Sequence, residues 1–215
     1  MHEQGGNWVV VAFKQGDWGM WPILALLIAA IVIIAERVMY LQKSKVAKES
    51  LLSQLRSQLM GGNVSGAMRV CESAPGPLTR ILRAGLMNAQ KSDEAVQVAM
   101  DEVSLVELPK IEHRTGYLAM IGNLATLAGL LGTITGLIKS FSAVAGVDPS
   151  MKATMLAKGI SEAMNCTAFG LGTGILSLLA FAVLNGQTQH ILDDINEVSV
   201  QVMNLVTGHR SMMKS

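Results

Sequence analysis

Charged and aromatic side chains are scarce in this chain of 215 residues: 15% of the residues are charged and 4% are Phe, Trp or Tyr, whereas half are hydrophobic. A typical soluble domain carries about 25% charged residues, so one water-soluble core is not expected. The composition is typical of a chain with a few membrane spans and a modest polar part. The formal net charge of +1 gives no indication of a nucleic-acid partner.

Cysteine is also scarce, with Cys71 in a polar stretch and Cys166 in an apolar one. Two such residues supply neither a disulfide framework nor a thiolate metal cluster, and both are expected to be buried thiols. The histidines are scattered along the chain: His2, His113, His190 and His209. The sequence therefore predicts no metal site, no cofactor and no catalytic set.

Long apolar runs are what the chain does contain. Residues 117–145 include a single charged side chain, Lys139, and as a helix they would reach roughly 43 Å, more than the ~30 Å hydrocarbon core of a bilayer. Two further runs, 20–35 and 160–184, have the length and composition of spans. The sequence predicts an all-α integral membrane protein with three transmembrane helices.

Basic residues predict the orientation of these spans. Arg37, Lys43, Lys45 and Lys48 follow the first span, and only Lys14 precedes it. The positive-inside rule then places the N-terminus outside and this exit in the cytoplasm. Ten of the seventeen Lys and Arg residues fall within 42–115, in agreement with that orientation. The tryptophans mark an interfacial N-terminal segment: Trp8, Trp18 and Trp21.

The polar region between the first two spans has a helical pattern and no strand pattern. A helix over 46–59 is expected to stop at Gly61-Gly62, and two more are expected over 64–72 and 78–90. Ser92 has the character of a helix cap, and Pro109 would kink the helix that follows. These helices predict a small cytoplasmic bundle that continues into the spanning helices.

Small residues form a seam along each of the last two spans. The seam residues of the second span are Gly122, Thr126, Gly129, Thr133, Gly136 and Ser140, and those of the third are Ala163, Thr167, Gly170, Gly174 and Ser177. One interpretation is close helix packing, and the other is a polar path lined by hydroxyl groups. Thr135 lies on the opposite side of its helix. Because one hairpin is not expected to bury both seams, the seams predict a homo-oligomeric ring.

Glu162 has two interpretations from sequence alone. It would lie in the first turn of the third span, where the helix N-terminus favours a carboxylate and where Lys158 is one turn away. That placement serves helix stability, but an ionisable residue in a span is also a candidate for function. Both interpretations remain open on residue type and spacing.

Two blocks of sequence resemble a known family. LLGTITGLIKSF at 130–141 and ISEAMNCTAFGL at 160–171 are similar to the paired signatures of the MotA/TolQ/ExbB proton-channel family, most closely its TolQ/ExbB branch. The family's threonine falls on Thr133, and its glutamate and later threonine fall on Glu162 and Thr167. Thr126 and Leu176 stand where relatives usually carry proline, so the helix bends that those prolines produce are not expected here.

The resemblance implies a channel and stator subunit of a motor in the bacterial inner membrane that couples the proton motive force to work on an envelope partner. It implies five copies around a dimer of a single-span ExbD/TolR-like partner, whose membrane aspartate carries the proton, together with a periplasmic effector and contact with lipid. Thr133, Thr167 and Glu162 would line the proton path. Neither Asp148 nor Asp193 lies inside a predicted span, so this chain offers no candidate for that aspartate.

On this interpretation the chain divides into seven segments. They are a periplasmic or interfacial segment at 1–19, the first transmembrane helix at 20–41, a cytoplasmic helical region at 42–115, the second transmembrane helix at 116–145, a periplasmic loop at 146–159, the third transmembrane helix at 160–186 and a cytoplasmic C-terminal helix at 187–215.

Two other functions compete with the motor subunit. A passive membrane scaffold would use the seams for packing alone. A membrane enzyme is not expected, because no nucleophile, acid–base pair or ligand cluster converges in the sequence. The sequence does not distinguish outer-membrane transport, envelope maintenance of the Tol-Pal type and gliding motility, nor H⁺ from Na⁺.

Overall fold

The computed structural model describes residues 19–44, 48–74 and 76–214, with side chains as far as residue 208, and this part of the chain contains helices and turns but no β-strand. The helices are α1 (Met20–Ser44), α2 (Lys48–Met60), α3 (Val64–Ser73), α4 (Pro77–Met87), α5 (Asp93–Glu112), α6 (Thr115–Ala143) and α7 (Pro149–Lys214). The predicted interfacial segment 1–19 lies outside the described residues apart from Gly19, as do Lys45, Val46 and Pro75.

Among the described residues, three helical stretches contain a segment long and apolar enough to cross a membrane: Met20–Met60, Asp93–Gly146 and Pro149–Gly208. Their large apolar side chains are extensively exposed, for example Ile31, Leu127 and Leu179. Exposed apolar surface of this kind is typical of helices that face lipid or another protein. The predicted all-helical fold with three segments of membrane-spanning length is confirmed.

The start of α7 differs from the sequence prediction. Residues 149–159 were expected to be loop, but the helix begins at Pro149 and runs on through the predicted start of the span at 160. Proline is favourable in the first helical position, because its missing N–H would have no partner there. The connection after α6 is therefore short, with a 3₁₀ turn over Val144–Gly146. No break separates the predicted third span from the predicted C-terminal helix.

The junction of α5 and α6 also differs from the prediction. The sequence suggested one continuing helix, but α5 ends at Glu112 and α6 begins at Thr115. Arg114 between them has a φ of 69°, which is left-handed and disfavoured for a residue with a Cβ. The Arg114 guanidinium donates to both carboxylate oxygens of Glu36 at 2.7 Å. This ion pair fixes the side chain of the residue at which the helix breaks.

The chain divides into two compact units. The first contains residues 19–36 and Arg114–Val183, and the second contains Arg37–His113 and the chain from Leu184 onward. In the first unit Met20, Ile23 and Cys166 form a buried apolar cluster against which Ala128 and Phe169 pack. Burial of the Cys166 thiol agrees with its sequence prediction.

Helix ends in the second unit follow local signals in the sequence. α2 stops before Gly62, whose φ of 71° is one that glycine adopts at little cost. The Asn63 side chain accepts from the N–H of Gly66 at 2.8 Å, and Ser92 accepts from the N–H of Ala95 at 3.2 Å. Each cap satisfies a backbone donor that the first helical turn leaves unpaired. Ser92 is thus the cap that the sequence predicted.

Leucines at helical spacing in α2 form part of the core of the second unit: Leu51, Leu55 and Leu59. Ile81 and Val96 are also fully buried, and Val198 contributes from α7. Lys48 ties the start of α2 to α7 through ion pairs with Asp194, at 2.9 Å, and with Glu197. Hydrogen bonds to Glu197 and Asp194 raise the pKa of Lys48.

A buried carboxylate joins α4 to α5. Glu107 is bonded by Arg80 at 3.0 and 2.9 Å and by Lys110 at 2.8 Å. Burial disfavours its ionised form, but the hydrogen bonds from Lys110 and Arg80 prevail and lower the pKa of Glu107. At Cys71 burial prevails over the opposing charge of Arg83 and raises the pKa of the thiol to about 11.

Candidate functional site

Helices α6 and α7 meet in the first unit through two glycines. A methyl group added to Gly170 would lie 2.7 Å from the carbonyl oxygen of Ala125 and 2.8 Å from Cα of Gly129. One added to Gly129 would lie 3.1 Å from Cα of Gly170. Because the obstacles are backbone atoms, no side-chain rotation would relieve them. The absence of a Cβ at both positions is what permits this helix separation.

On one side of this contact the seams continue with Gly122, Thr126 and Gly174. The position of a Cβ on Gly174 is 2.5 Å from Oγ1 of Thr126 and 3.0 Å from the carbonyl oxygen of Gly122. Thr126 donates its own hydroxyl within its helix, to the Gly122 carbonyl at 3.0 Å. Ser177 is fully buried and donates to the carbonyl of Thr173 at 2.9 Å.

On the other side the contact continues with Gly136, Ser140 and Ala163. A methyl group on Gly136 would lie 2.9 Å from Cβ of Ala163, and buried Ser140 packs against Gly159. The seams of α6 and α7 therefore face each other within one hairpin. The reason given from sequence for a ring, that a single hairpin could not bury both seams, is wrong.

Thr133 and Thr167 meet at the centre of this contact, and their hydroxyl groups are hydrogen-bonded to each other. Thr133 Oγ1 also lies 3.2 Å from the carbonyl oxygens of Gly129 and Ala163, and Thr167 Oγ1 donates to the Gly129 carbonyl at 3.0 Å. Each hydroxyl has one proton for these several acceptors. The pair can therefore exchange donor and acceptor roles, which is the requirement for passing a proton between hydroxyl groups.

Glu162 lies well inside α7, not in the first helical turn that the sequence predicted, because the helix begins at Pro149. The argument that the helix N-terminus stabilises its carboxylate is therefore wrong. The predicted neighbour is present: Lys158 Nζ lies 4.0 Å from Oε1 of Glu162. The Glu162 side chain is 34% exposed, so it has contact with the surroundings of the hairpin.

A small cavity of about 60 Å³ adjoins Glu162 in the first unit. Its polar lining is Thr135, Lys139, Ser140 and Glu162. Thr135 donates to the carbonyls of Leu131 and Gly132, and Ser140 donates to that of Gly136, so both hydroxyl oxygens keep lone pairs. This volume exceeds the ~15 Å³ that one water molecule needs. The cavity is polar and roomy enough to hold water.

Thr135 and Lys139 were not predicted as site residues. The helical wheel placed Thr135 on the side of α6 opposite the seam, but the cavity that Thr135 lines also has the seam residues Gly136 and Ser140 in its lining. Lys139 stood out only as the single charge in an apolar run. Lys139 is four residues from Thr135, so both lie on one helix face, and this spacing is the sequence signal that could have identified them as a pair.

Arg37 in the second unit is another residue whose role the sequence did not reveal. It is 3% exposed, and Nη1 donates to the carbonyls of Ile111 at 3.2 Å and Lys110 at 3.4 Å. Its guanidinium carbon lies 5.1 Å from the centre of the Tyr40 ring. A cation at the last carbonyls of α5 is favourable because the helix C-terminus carries partial negative charge. Arg37, one of the basic residues that predict the orientation, therefore also stabilises the C-terminal end of α5.

Comparison with known proteins gives matches over most of the chain. The ExbB-like 1 protein of Synechocystis sp. is 32% identical over 175 residues, which are 80% of this chain and 68% of that protein. The ExbB homolog of Methanothermobacter thermautotrophicus is 26% identical over 87% of this chain and 66% of its own length. A Tol-Pal system protein TolQ of Pseudomonas aeruginosa is 32% identical over 46% of this chain and 42% of its own length.

The profile of one family covers the two signature blocks, the threonine pair and Glu162. It matches residues 73–197, which is more than half of the chain. With the paired threonines at the α6–α7 contact and relatives named for ExbB and TolQ, the chain belongs to the MotA/TolQ/ExbB proton channel family.

Proposed function

We propose that this chain is the multi-span channel subunit of an inner-membrane motor complex that converts the proton motive force into mechanical work on an envelope partner. The observation that carries the proposal is the hydrogen-bonded pair Thr133 and Thr167 between two membrane-length helices. Membership of the proton channel family supports the proton as the ion that is conducted. Relatives named ExbB and TolQ support a transport or envelope process.

The ion carrier is proposed to come from a partner chain. No Asp or Glu lies within Thr115–Ala143, and the sequence offers Glu162 alone within 160–186. A dimer of a single-span ExbD/TolR-like protein would supply an aspartate. The threonine hydroxyls would hydrogen-bond that carboxyl in its neutral or charged form. A periplasmic effector would then receive the movement.

The energy scale is adequate for such coupling. One charge that crosses the membrane potential releases about 2.3 kcal/mol per 100 mV. Insertion scales give ~2.5 to 3.5 kcal/mol for a charged side chain at the bilayer centre. Because these energies are similar, protonation of one partner carboxylate can decide where the partner helix is stable.

A passive scaffold remains as a second candidate, because the same threonine contacts also hold helices together. Thr133 lies within bonding distance of a carbonyl of α7, and Thr167 donates to a carbonyl of α6. In a membrane such bonds are worth about 0.6 kcal/mol on average. The scaffold would need the hydroxyls for packing and would conduct no protons.

We propose a homopentameric ring on the strength of the family resemblance alone, since the hairpin buries its own seams. The large apolar side chains exposed on α6, such as Leu130 and Ile134, would face lipid or neighbouring copies. Native mass measurement of the detergent-solubilised complex should give about five copies of this chain. A monomer would contradict the ring.

The function is tested by purifying the native complex and identifying the chain that accompanies this one. The complex is then reconstituted in vesicles, and proton flux is measured under an imposed potential with and without the partner. We expect flux that depends on both chains. An intact complex that passes no protons would favour the scaffold.

A further inference from the structure

A groove runs between α5 and α7 in the second unit, with a volume of about 600 Å³. α5 contributes Gln97, Met100, Asp101, Ser104, Leu105 and Leu108 to its walls. α7 contributes Asn196, Ser199, Val200 and Met203. On each helix these positions follow the i, i+3, i+4, i+7 pattern of a single helical face, and on α5 they extend for about three turns. Two such faces side by side are suited to a third helix that packs between them.

The apolar part of this α5–α7 groove is not expected to face lipid. Leu105 is 77% exposed and Val200 is 60% exposed, although α5 contains six acidic residues within Asp93–Glu112. Carboxylates at that density do not enter the hydrocarbon core of a membrane. The apolar walls would therefore meet water unless another protein segment covers them, and exposed apolar patches of this kind mark protein interfaces.

Charge narrows the kind of helix that the α5–α7 groove accepts. Asp101 lies in the middle of the α5 wall and is the charged residue among the described lining residues. Within the described part of the chain it has no ion-pair partner. The groove is therefore complementary to a helix that has large apolar side chains and one cation at the centre of the same face.

α2 carries a face of this description. Leu52, Arg56 and Met60 follow one another at spacings of four, so they form a stripe along one side of the helix. Met60 is 65% exposed, Arg56 is also exposed, and Leu52 is half-buried. Arg56, like Asp101, forms no ion pair with another described residue. This α2 stripe thus has the apolar–cation–apolar order that the groove accommodates.

The α2 stripe and the α5–α7 groove lie on different sides of α7. Leu52 and Arg56 line a separate cavity together with Gln201, Asn204 and Leu205 of α7. At about 100° per residue, these α7 positions are roughly 140° around the helix from those that line the groove. α2 therefore does not face the groove of its own copy. A contact between the stripe of one copy and the groove of the next joins two different surfaces, and contacts of that type can close into a ring.

We propose that the α5–α7 groove binds α2 of a neighbouring copy of this chain, with Arg56 of one copy paired with Asp101 of the next. Leu52 and Met60 then lie about 6 Å to either side of Arg56, over the apolar walls of the groove. This inference rests on the proposed assembly of several copies, and it assigns the surfaces through which their second units meet. The threonine pair and Glu162 take no part in the contact.

The test reverses each charge in the full chain, purified as its native complex: Arg56→Glu, Asp101→Arg and the two together. Each single reversal places like charges opposite each other, and the double variant restores an opposite pair. Assembly is measured by native mass as the detergent-solubilised complex is diluted. We expect the concentration of half-assembly to rise at least about tenfold for each single variant and to return to within about threefold of the wild type for the double variant.

Glu102→Arg is the matched control, because Glu102 is exposed next to Asp101 on α5 but is not in the groove lining. It should assemble as the wild type does. Leu105→Asn tests the apolar wall without a change of charge and should also weaken assembly. All of the substituted side chains are exposed, so the fold should stay intact, which circular dichroism checks.

The proposal is overturned if both single reversals assemble as the wild type does, or if the double variant is as weak as the single ones. Loss of the single-span partner from the complex, with the number of copies unchanged, would show that the groove binds that partner. That result would also overturn the contact between copies.

Crosslinking separates this inference from the channel function. In a background with Cys71→Ser and Cys166→Ser, chains that carry both Arg56→Cys and Asp101→Cys are treated in vesicles with a short bifunctional thiol reagent. The proposed contact should give a ladder of products beyond the dimer, and either substitution alone should give none. A ladder in vesicles that pass no protons would support the contact while the channel proposal fails. Proton flux without a ladder would overturn the contact alone.

Discussion

The two threonine hydroxyls at the α6–α7 contact share two carbonyl acceptors, those of Gly129 and Ala163, so a single hydroxyl can be lost without removing every bond between the helices. Thr167 keeps the Gly129 carbonyl when Thr133 is changed, at 3.0 Å. Thr133 likewise keeps the Ala163 carbonyl at 3.2 Å when Thr167 is changed. Packing and proton transfer therefore predict different outcomes for valine at either position.

Thr133→Val and Thr167→Val are each expected to preserve assembly and to reduce proton-dependent function by tenfold or more. Valine keeps the branched shape, and the lost hydroxyl leaves a buried polar group unsatisfied at about 1 to 3 kcal/mol. At about 1.4 kcal/mol per factor of ten, a cost in that range corresponds to roughly a fivefold to 140-fold loss in rate, a range that includes the tenfold loss expected here. Proton flux in vesicles and native gels of the complex measure the two effects.

Thr126→Val is the matched control, because Thr126 lies on the same seam and donates within its own helix. Thr135, which the helical wheel placed on the opposite side of α6, is unsuitable as a control because it lines the cavity with Glu162. Equal flux through the wild type and both valine variants would leave the threonine path without support.

The contribution of Glu107 to the stability of the folded chain should depend on pH. Its pKa is lowered in the folded chain, so the stabilisation is present above the unfolded value of about 4.3 and is lost as pH falls through the lower folded value. Glu107→Gln should destabilise the protein at neutral pH by about 1 kcal/mol, a small value because Arg80 and Lys110 are solvent-exposed. Thermal unfolding in detergent measures it.

The difference between Glu107→Gln and wild type should shrink as pH falls below the unfolded value of about 4.3, because the unfolded chain takes up the proton first, and it should vanish once pH is below the lowered folded pKa. Glu102→Gln on the exposed face of the same helix serves as control and should change little. A difference that stays constant with pH would show that packing, and not charge, stabilises this position.

At the scale of elements, the α6–α7 contact depends on a helix separation that two glycines permit. Gly170→Ala should force the helices apart, because its Cβ would meet the Ala125 carbonyl oxygen at 2.7 Å and Cα of Gly129 at 2.8 Å. Overpacking of this kind costs roughly 1 to 3 kcal/mol. We expect a lower unfolding temperature and reduced proton flux, since the threonine pair would separate as well.

Gly172→Ala is the control for Gly170→Ala. Gly172 lies on the same helix, and no atom of another helix lies within 4 Å of a methyl group added there. It should match the wild type or be slightly more stable, because alanine is the better helix former. Equal behaviour of the two alanine variants would contradict the close contact.

Helix ends could be predicted where the sequence has a local signal. Gly62 and Ser92 lie at a helix stop and a helix start that were both anticipated. The start of α7 was not predicted, because a membrane-length apolar run is the signal for a span and residues 149–159 are helical without forming part of such a run. The break at Arg114 was missed because a left-handed arginine has no local sequence signal.

The candidate site could be predicted in part. Spacing placed Thr133 and Thr167 on small-residue seams, and the resemblance gave them a role. That their hydroxyls meet depends on the register between two helices, which spacing within each helix does not specify. The cavity beside Glu162 also depends on that register, because Lys139 and Glu162 line it from two different helices.

At the scale of the whole molecule, the orientation in the membrane remains a prediction from basic residues. Asp148→Cys should react with an impermeant thiol reagent from outside intact cells, and Ser92→Cys should react only after lysis. Cys166→Ser removes one background thiol. Cys71→Ser removes the other, although at pH 8 only about a thousandth of a thiol with a pKa of about 11 is ionised. The reverse labelling pattern would invert the orientation.

Because the small residues of α6 and α7 face each other, α6 has an inner face in the helix contact and an outer face away from it. The inner face of α6 tolerates few changes, because a methyl group added to Gly129 would lie 3.1 Å from Cα of Gly170. The outer face carries large apolar side chains such as Leu127 and Ile138, which meet lipid or another chain. Substitutions on the two faces share no contacts, so their free energies should add. The number of copies or the choice of neighbours could therefore diversify among descendants of this protein while the threonine pair stays unchanged.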